Sequence, residues 1–495
     1  MHWGITRSRK DALVNTQCSE TRVHFKRLGG RDVVADFSGG RLTSDAGALL
    51  LGKVDEALGL TERFAELFTD YRDPDSTEHP VLDLVRQRVY GIALGYEDLN
   101  DHDELSRDPL LATVVGKTDP LGEGRVRERD RGRPLAGKST LNRVELTRGD
   151  LTTPRHRYKR VALDMERAER FFAEAVVGRP QRRPRVVILD FDATDDPLHG
   201  QQEGRHFSGY YKEYCYLPLY VFWGNELLLA RLRPGWVDAA EGTTEVLGWQ
   251  VRLIRLRWPG VRIIVRADSS FARDEMMTWC EANGVDYVFG FGKNAVLERM
   301  IAAELAEAKA RYGATKEPAR IFKELRYRTQ KSWSRERRVV AKAEHTVEGE
   351  NPRFVVTSLP SRGRGSWGTR ALYEDLYCAR GEMENRIKEQ QLYLFADRTS
   401  AETMRANQIR LWFSSLAYML MQALRRDGLA GTSLARARCD TIRLKLLKIG
   451  AAVRVTVRRV WVSMSSSYPL QELLVRVWRR LEGLPRRPTT APLRC

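Results

Sequence analysis

Along residues 34–105 apolar side chains recur at three-and-four spacing. DAGALLLGKVDEALGLTERFAELF and VLDLVRQRVYGIALGY both carry the stripe of a helix that buries one face. A charged break, GEGRVRERDRGRP, follows at residues 122–134, and in STLNRVELTRGD Ser139 or Thr140 is placed to cap a short basic helix. At residue 183 the period changes. RVVILDF, YCYLPLYVFWG and ELLLARL read as strands, TTEVLGWQVRLIRLRW as a helix, RIIVRADSS as a strand, RDEMMTWCEANG as a helix and DYVFGFG as a strand. After residue 293 a helix leads into three strand-like segments, ARIFKELRYRTQKSW, RERRVVAKAEHT and RFVVTSLP. Helical pattern returns in GTRALYEDLYCARGEMENRIKEQQL. The chain closes with an alternating strand, VRVTVRRVWVSMS, and an amphipathic basic helix, LQELLVRVWRRL.

Three strands, helix, strand, helix, strand is the order expected of a ribonuclease-H-like (retroviral-integrase-like) α/β core. The expected organisation is a disordered leader over residues 1–33, a mainly helical N-terminal region over 34–182 and a first part of the core over 183–295. A β-rich insertion over 296–368, a second part of the core over 369–425 and a basic C-terminal region over 426–495 complete it.

Charge narrows the partner. The 495 residues carry a formal net charge of +18, and residues 425–495 hold 16 Lys and Arg against 4 Asp and Glu. Such an asymmetry points to a polyanion, nucleic acid first. The six cysteines are scattered without a C-x-x-C or a partnered histidine, which supports neither a zinc site nor a disulfide framework and fits a reducing cytoplasm. The longest apolar run, LWFSSLAYMLMQAL, is shorter than the roughly 20 residues that a bilayer requires. It reads as a buried core helix, so no membrane partner is expected.

Candidate chemistry begins at VVILDFDATDD (186–196), an apolar strand ending in Asp190, Asp192, Asp195 and Asp196. Three readings compete there: the D-x-D-x-T of a haloacid-dehalogenase-type phosphatase with Asp190 as nucleophile, one ligand of a nuclease-like metal site, and an Asx-rich turn. Alternation puts Asp190 and Asp192 on one face, so spacing does not choose between them. IIVRADSSF (263–271) repeats the device with Asp268, which is equally a helix N-cap. The phosphatase needs a downstream pair of aspartates that the chain lacks. GRPLAGKS (132–139) matches the letters of a phosphate loop, but the charged RVRERDR before it is no buried strand, and Lys138 reads instead as a phosphate-backbone contact.

The third element is YCARGEMENRIKEQQ. At about 100° per residue, Tyr377 and Gln391 lie about 20° from Glu384, and Arg380 and Lys388 about 40°. That polar stripe faces either water or a polyanion, and the apolar flank of Leu376, Met383 and Ile387 would dock the helix on a sheet.

Tyr377, Arg380 and Glu384 fit the Y-(2)-R-(3)-E part of the Y-(2)-R-(3)-E-(6)-K signature, and the chain thereby resembles insertion-sequence DDE transposases of the IS-four type. DATDDPLHG, YCYLPLYVF, RGEMENRIKEQQLYLFADRTS and TIRLKLLKIGA are similar to the thirteen-eighty family within that group. The resemblance implies a catalytic and metal-binding triad of Asp192, Asp268 and Glu384, with Asp190 as a supporting carboxylate. It further implies two magnesium ions, replaceable by manganese, and phosphate contacts from Tyr377, Arg380, Lys388 and Gln391. The lysine place of the signature is held here by Gln391. The implied reaction is cleavage at terminal inverted repeats and joining of 3′ ends to target DNA, by a homodimer on double-stranded DNA in the cytoplasm, at the nucleoid. The N-terminal helices would then bind the repeat ends. Related enzymes release the flanking strand through a DNA hairpin with an aromatic of the insertion holding a flipped base, and Trp333 is the candidate for it. The competing reading is a non-catalytic DNA-binding regulator with a degenerate nuclease core.

Overall fold

The computed structural model describes residues 22–147, 160–363 and 365–485. Its centre is one mixed sheet built from β1 (Val186–Ala193), β2 (Leu219–Trp223), β3 (Glu226–Arg231), β4 (Arg262–Ala267), β5 (Asp286–Phe291), β6 (Ala319–Tyr327), β7 (Arg337–Thr346) and β8 (Arg353–Thr357). They lie in the order β3-β2-β1-β4-β5-β8-β7-β6, with the two-residue strand Gly349–Glu350 added beside β7. β1, β4 and β5 run parallel, while β2 is antiparallel to both of its neighbours. Parallel strands must be covered on both faces, which explains why β1 and β4 read as apolar runs. Val187, Leu189, Phe191 and Val265 are fully buried.

Within residues 296–368, expected as a β-rich insertion, the three strands β6, β7 and β8 continue this sheet. β8 pairs antiparallel with β5 (Val288↔Thr357), β7 with β8, and β6 with β7.

Six helices matter for the site: α1 (Val81–Leu94), α2 (Met165–Val177), α3 (Thr243–Arg257), α4 (Asp274–Ala282), α5 (Gly381–Leu394) and α6 (Met404–Ala423). α6 contains the longest apolar run, and all but three of its 20 residues are buried. It is fastened to the edge strand β3 by Gln408 and Trp412, which both donate to the Ala230 carbonyl at 3.0 Å. A buried cluster then ties α6 to the N-terminal helices. Glu145 accepts from Arg88 of α1 at 2.9 Å and from Arg410 of α6 at 2.7 Å. One hydrophobic cluster runs from Ala48 to Leu481, so the N-terminal helices share the core of the sheet. No helix among the described residues is long and apolar enough to cross a membrane.

Several local expectations change. Of the leader, residues 1–21 lie outside the described residues, but Val23–Leu28 and Arg31–Ala35 form an antiparallel hairpin across the Gly29–Gly30 turn. YCYLPLYVFWG is not one strand. Pro218 cannot donate to a ladder, and the chain splits into Glu213–Tyr216 in a small sheet and β2 in the large one. The basic helix Lys138–Glu145 starts without a side-chain cap at Gly137; neither Ser139 nor Thr140 caps it. Lys138 is held by Asp103 (3.2 Å) and Asn100 (3.0 Å), an intramolecular use of the residue read as a phosphate contact. VRVTVRRVWVSMS is a hairpin, Ala451–Val455 with Val460–Met464, closed by mutual bonding of Thr456 and Arg459.

Removing one partner from a buried ion cluster strands the others. Glu145→Gln is therefore expected to cost about 3 kcal/mol, read as a lower midpoint of chemical denaturation.

Candidate active site

β1 and β4 are neighbours in parallel, with Arg266 opposite Asp190 and Ala267 opposite Phe191. Asp192, still paired with Tyr220 of β2, therefore stands beside Asp268, the first residue past the end of β4. Asp190 does not join them. Its carboxylate is gripped through both oxygens by Arg266, from Nε and from Nη2 at 2.8 Å, and the residue is 2% exposed. A pinned, buried carboxylate is no nucleophile, which removes the phosphatase reading. Burial pushes its pKa up, and Arg266 acts against that.

Asp192 is the other kind of aspartate. Burial raises its pKa to about 7; Arg380 opposes that rise, while the charges of Asp268 and Glu384 add to it. Asp268 serves as strand end and cap together. Its carboxylate accepts from the Ser270 amide at 2.9 Å, capping the 3₁₀ turn Ser269–Phe271, and α4 begins only at Asp274.

The long helix expected over the third motif is broken in the middle. Thr369–Ala371 is α-helical, Leu372–Tyr377 makes a π-helical turn and Cys378–Arg380 a 3₁₀ turn, after which α5 runs on. Such irregular turns occur preferentially at functional sites. Leu376, Met383 and Ile387 are buried and dock the segment as their apolar flank suggested. Arg266 also donates through Nη1 to the Leu376 carbonyl at 2.6 Å, which anchors the π-helical turn to β4.

Arg380 bridges the site. It donates to Asp192 Oδ2 at 3.3 Å and to Glu384 Oε1 at 2.5 Å, and these carboxylates outweigh the burial that would otherwise lower its pKa. Glu384 therefore turns to Arg380 rather than to Lys388, which is exposed. Tyr377 is partly buried, and its phenol is pushed up by burial, with Arg380 opposing and Asp268 reinforcing. Gln391 donates to the Asp195 carbonyl at 3.1 Å, bracing α5 against the loop that leaves Asp192. Among the described residues no three His, Cys, Asp or Glu side chains stand in metal-binding geometry, since a guanidinium holds the space between Asp192 and Glu384.

Trp333 needs correction. It is 4% exposed, packed 4.8 Å from Phe291 and 5.8 Å from Tyr327 with the Arg337 guanidinium over its ring. It belongs to the core between β5 and β6 and offers no face to an extruded base. Sequence reasoning also missed Gly290. A Cβ there would lie 2.4 Å from the Tyr377 hydroxyl and 3.0 Å from the Ser269 amide, so only glycine lets β5 pass beneath both motifs. A glycine inside an apolar strand signals such a close approach.

The geometry is that of a carboxylate site on a mixed α/β core, covered by an irregular helical segment that brings Arg380 between Asp192 and Glu384. The chain belongs to the transposase DDE domain family, group 1, whose profile matches residues 25–486. That membership places it among the DNA transposases, enzymes of DNA transposition and recombination. No curated protein matches the chain. Among solved structures, a piggyBac transposase synaptic complex with hairpin DNA is similar over 82% of this chain and 80% of that one, at 12% identity and a TM-score of 0.37.

A carboxyl group whose folded pKa lies above its unfolded value binds its proton more tightly in the native state. It stabilises the fold fully below the unfolded value of 3.8, and that contribution is lost as pH rises through about 7. In chelator-treated protein, the melting temperature is expected to fall across this window, and Asp192→Asn to flatten the fall.

Proposed function

We propose that this transposase is an insertion-sequence enzyme of the IS-four type, similar to the thirteen-eighty family, working by cut and paste. On this reading it has a ribonuclease-H-like core whose catalytic groups are Asp192, Asp268 and Glu384. The observation that carries the proposal is the bridging of Asp192 and Glu384 by Arg380, where Asp192 stands beside Asp268 at the ends of adjacent parallel strands.

The donor set suits a hard divalent cation. It consists of carboxylate oxygens only; burial first, and the charges of Asp268 and Glu384 after it, raise the pKa of Asp192 against Arg380, and a cation would offset both. Bound magnesium, or manganese in its place, would activate the attacking oxygen and stabilise the leaving one in an in-line displacement at phosphorus. Asp192, Asp268 and Glu384 would hold the ions. Asp192 must give up its proton for that role, because only the carboxylate is a ligand.

The remaining residues position the DNA. Arg380, freed from its carboxylates, would grip a phosphate next to the scissile bond, and exposed Lys388 would supply the second cation on the same helix. Gln391 stands where the signature has lysine. Its bond to Asp195 supports a bracing role, keeping α5 in register with the end of β1. Asp190 acts through Arg266, holding β1, β4 and the π-helical turn together. The N-terminal helices would bind the terminal inverted repeats. The C-terminal hairpin, where Arg454 and Arg459 flank a half-exposed Trp461, would add backbone contacts. Two ends are joined in one reaction, so the working form would be a homodimer on DNA.

The test is incubation of the protein with magnesium and a duplex carrying the ends of its element. Strand cleavage is expected, and Asp192→Ala, Asp268→Ala or Glu384→Ala should each lower it about a thousandfold, several kcal/mol of barrier. Binding without cleavage would favour the regulator. Cleavage that survives Asp192→Ala but not Asp190→Ala would reassign the first carboxylate.

A further inference from the structure

The loop that leaves Asp192 does not return directly to the sheet. Asp196–Pro197 pairs with Glu213–Tyr216, which pairs in turn with His206–Ser208, making a small three-stranded sheet at the end of β1. The Leu198 amide donates to the Tyr214 carbonyl at 2.8 Å, and Thr399 holds the buried Asp196 carboxylate at 3.2 Å. The small sheet is thus tied to the catalytic strand over a few residues.

Its outer surface is aromatic and exposed. Tyr210 is 86% exposed, Trp236 60%, Phe207 50% and Tyr214 44%. The rings meet edge to face, Tyr210 with Tyr211 at 4.9 Å, Phe207 with Tyr214 at 5.5 Å and His206 with Trp236 at 6.3 Å. A T-shaped pair uses one face of one ring, so further ring faces stay available for stacking. Basic groups are interleaved with them. Arg205 lies over Tyr214 at 4.3 Å, and Lys212 is exposed at the tip. The Trp236 loop is seated by Gly235, where a Cβ would fall 2.1 Å from the Cys215 carbonyl oxygen.

Exposed aromatic faces interleaved with cations are how proteins hold single-stranded nucleic acid. A duplex keeps its base faces stacked inside, whereas unpaired nucleotides present them. We propose that the hairpin of residues 206–216, with Trp236, is a stacking platform for unpaired nucleotides of the DNA strand next to the cleavage point. Tyr210, Phe207 and Trp236 stack on bases, and Lys212 meets the backbone. The inference rests on the reading of Asp192 as part of a DNA-cleaving site.

It is tested without cleavage, by fluorescence anisotropy in chelator with a labelled oligothymidylate of about 16 nucleotides, the upper end of known site sizes. A duplex of the same length is the comparison. Tyr210→Ala combined with Trp236→Ala is expected to weaken single-strand binding about tenfold and to leave duplex binding unchanged, while Tyr210→Phe binds as the parent does. Both substitutions are at exposed positions, and an unchanged melting temperature confirms the fold. Unchanged single-strand affinity overturns the proposal. So does an equal loss on both DNAs, or a change of oligomeric state in place of a change in binding, which would make the surface a contact between copies. If metal-dependent cleavage were absent while the single-strand effect held, the catalytic reading of Asp192 would fail, and the surface would stand as a single-strand contact without its link to a cleavage point.

Discussion

The site hangs on the ion pair between Asp190 and Arg266. These residues lie opposite each other on adjacent parallel strands, both buried, and every donor that Arg266 directs at them is spent. Two of its nitrogens hold Asp190 and so hold β1 against β4. The third holds the Leu376 carbonyl and so holds the π-helical turn that leads to Arg380 and Glu384. An arginine is suited to this because its donors are rigidly spaced around one plane, which a lysine could not reproduce. The charge that is least able to do chemistry is the one that lets the neighbouring aspartates meet.

Much of the fold was legible along the chain. Strands buried on both faces announce themselves as apolar runs, and the order of strands and helices from residue 183 matches the elements that the structure arranges as β3-β2-β1-β4-β5. What stayed hidden depended on contacts between distant segments. No local signal tells that β8 would pair with β5 and extend the same sheet, because an alternating strand reads alike in a separate domain and at a sheet's growing edge. Pro218 was visible in YCYLPLYVFWG and did mark a break, but periodicity outweighed it in the reading.

At the site the residue types were readable and their loyalties were not. Spacing left Asp190 and Asp192 equivalent; only the guanidinium of Arg266 separates them. Helical spacing grouped Tyr377, Arg380, Glu384, Lys388 and Gln391 on one stripe, yet the π-helical and 3₁₀ turns interrupt that helix. Arg380 meets Glu384 because the regular helix begins at Gly381, which leaves the two an ordinary i,i+4 pair. Trp333 is aromatic within a basic stretch, and the apolar partners that bury it, Phe291 and Tyr327, come from the ends of two strands, β5 and β6, that are not neighbours in the sheet.

Because β5 is hydrogen-bonded to β4 on one side and to β8 on the other, the outer strands form one plate with the carboxylate-bearing strands. At about 4.8 Å per strand, β6 stands about 19 Å across the ladder from β4. No hinge interrupts that span of paired backbone. Anything gripped at the far edge is thereby held at a set distance from Asp268, as a workpiece is clamped on the same bed as the cutting tool.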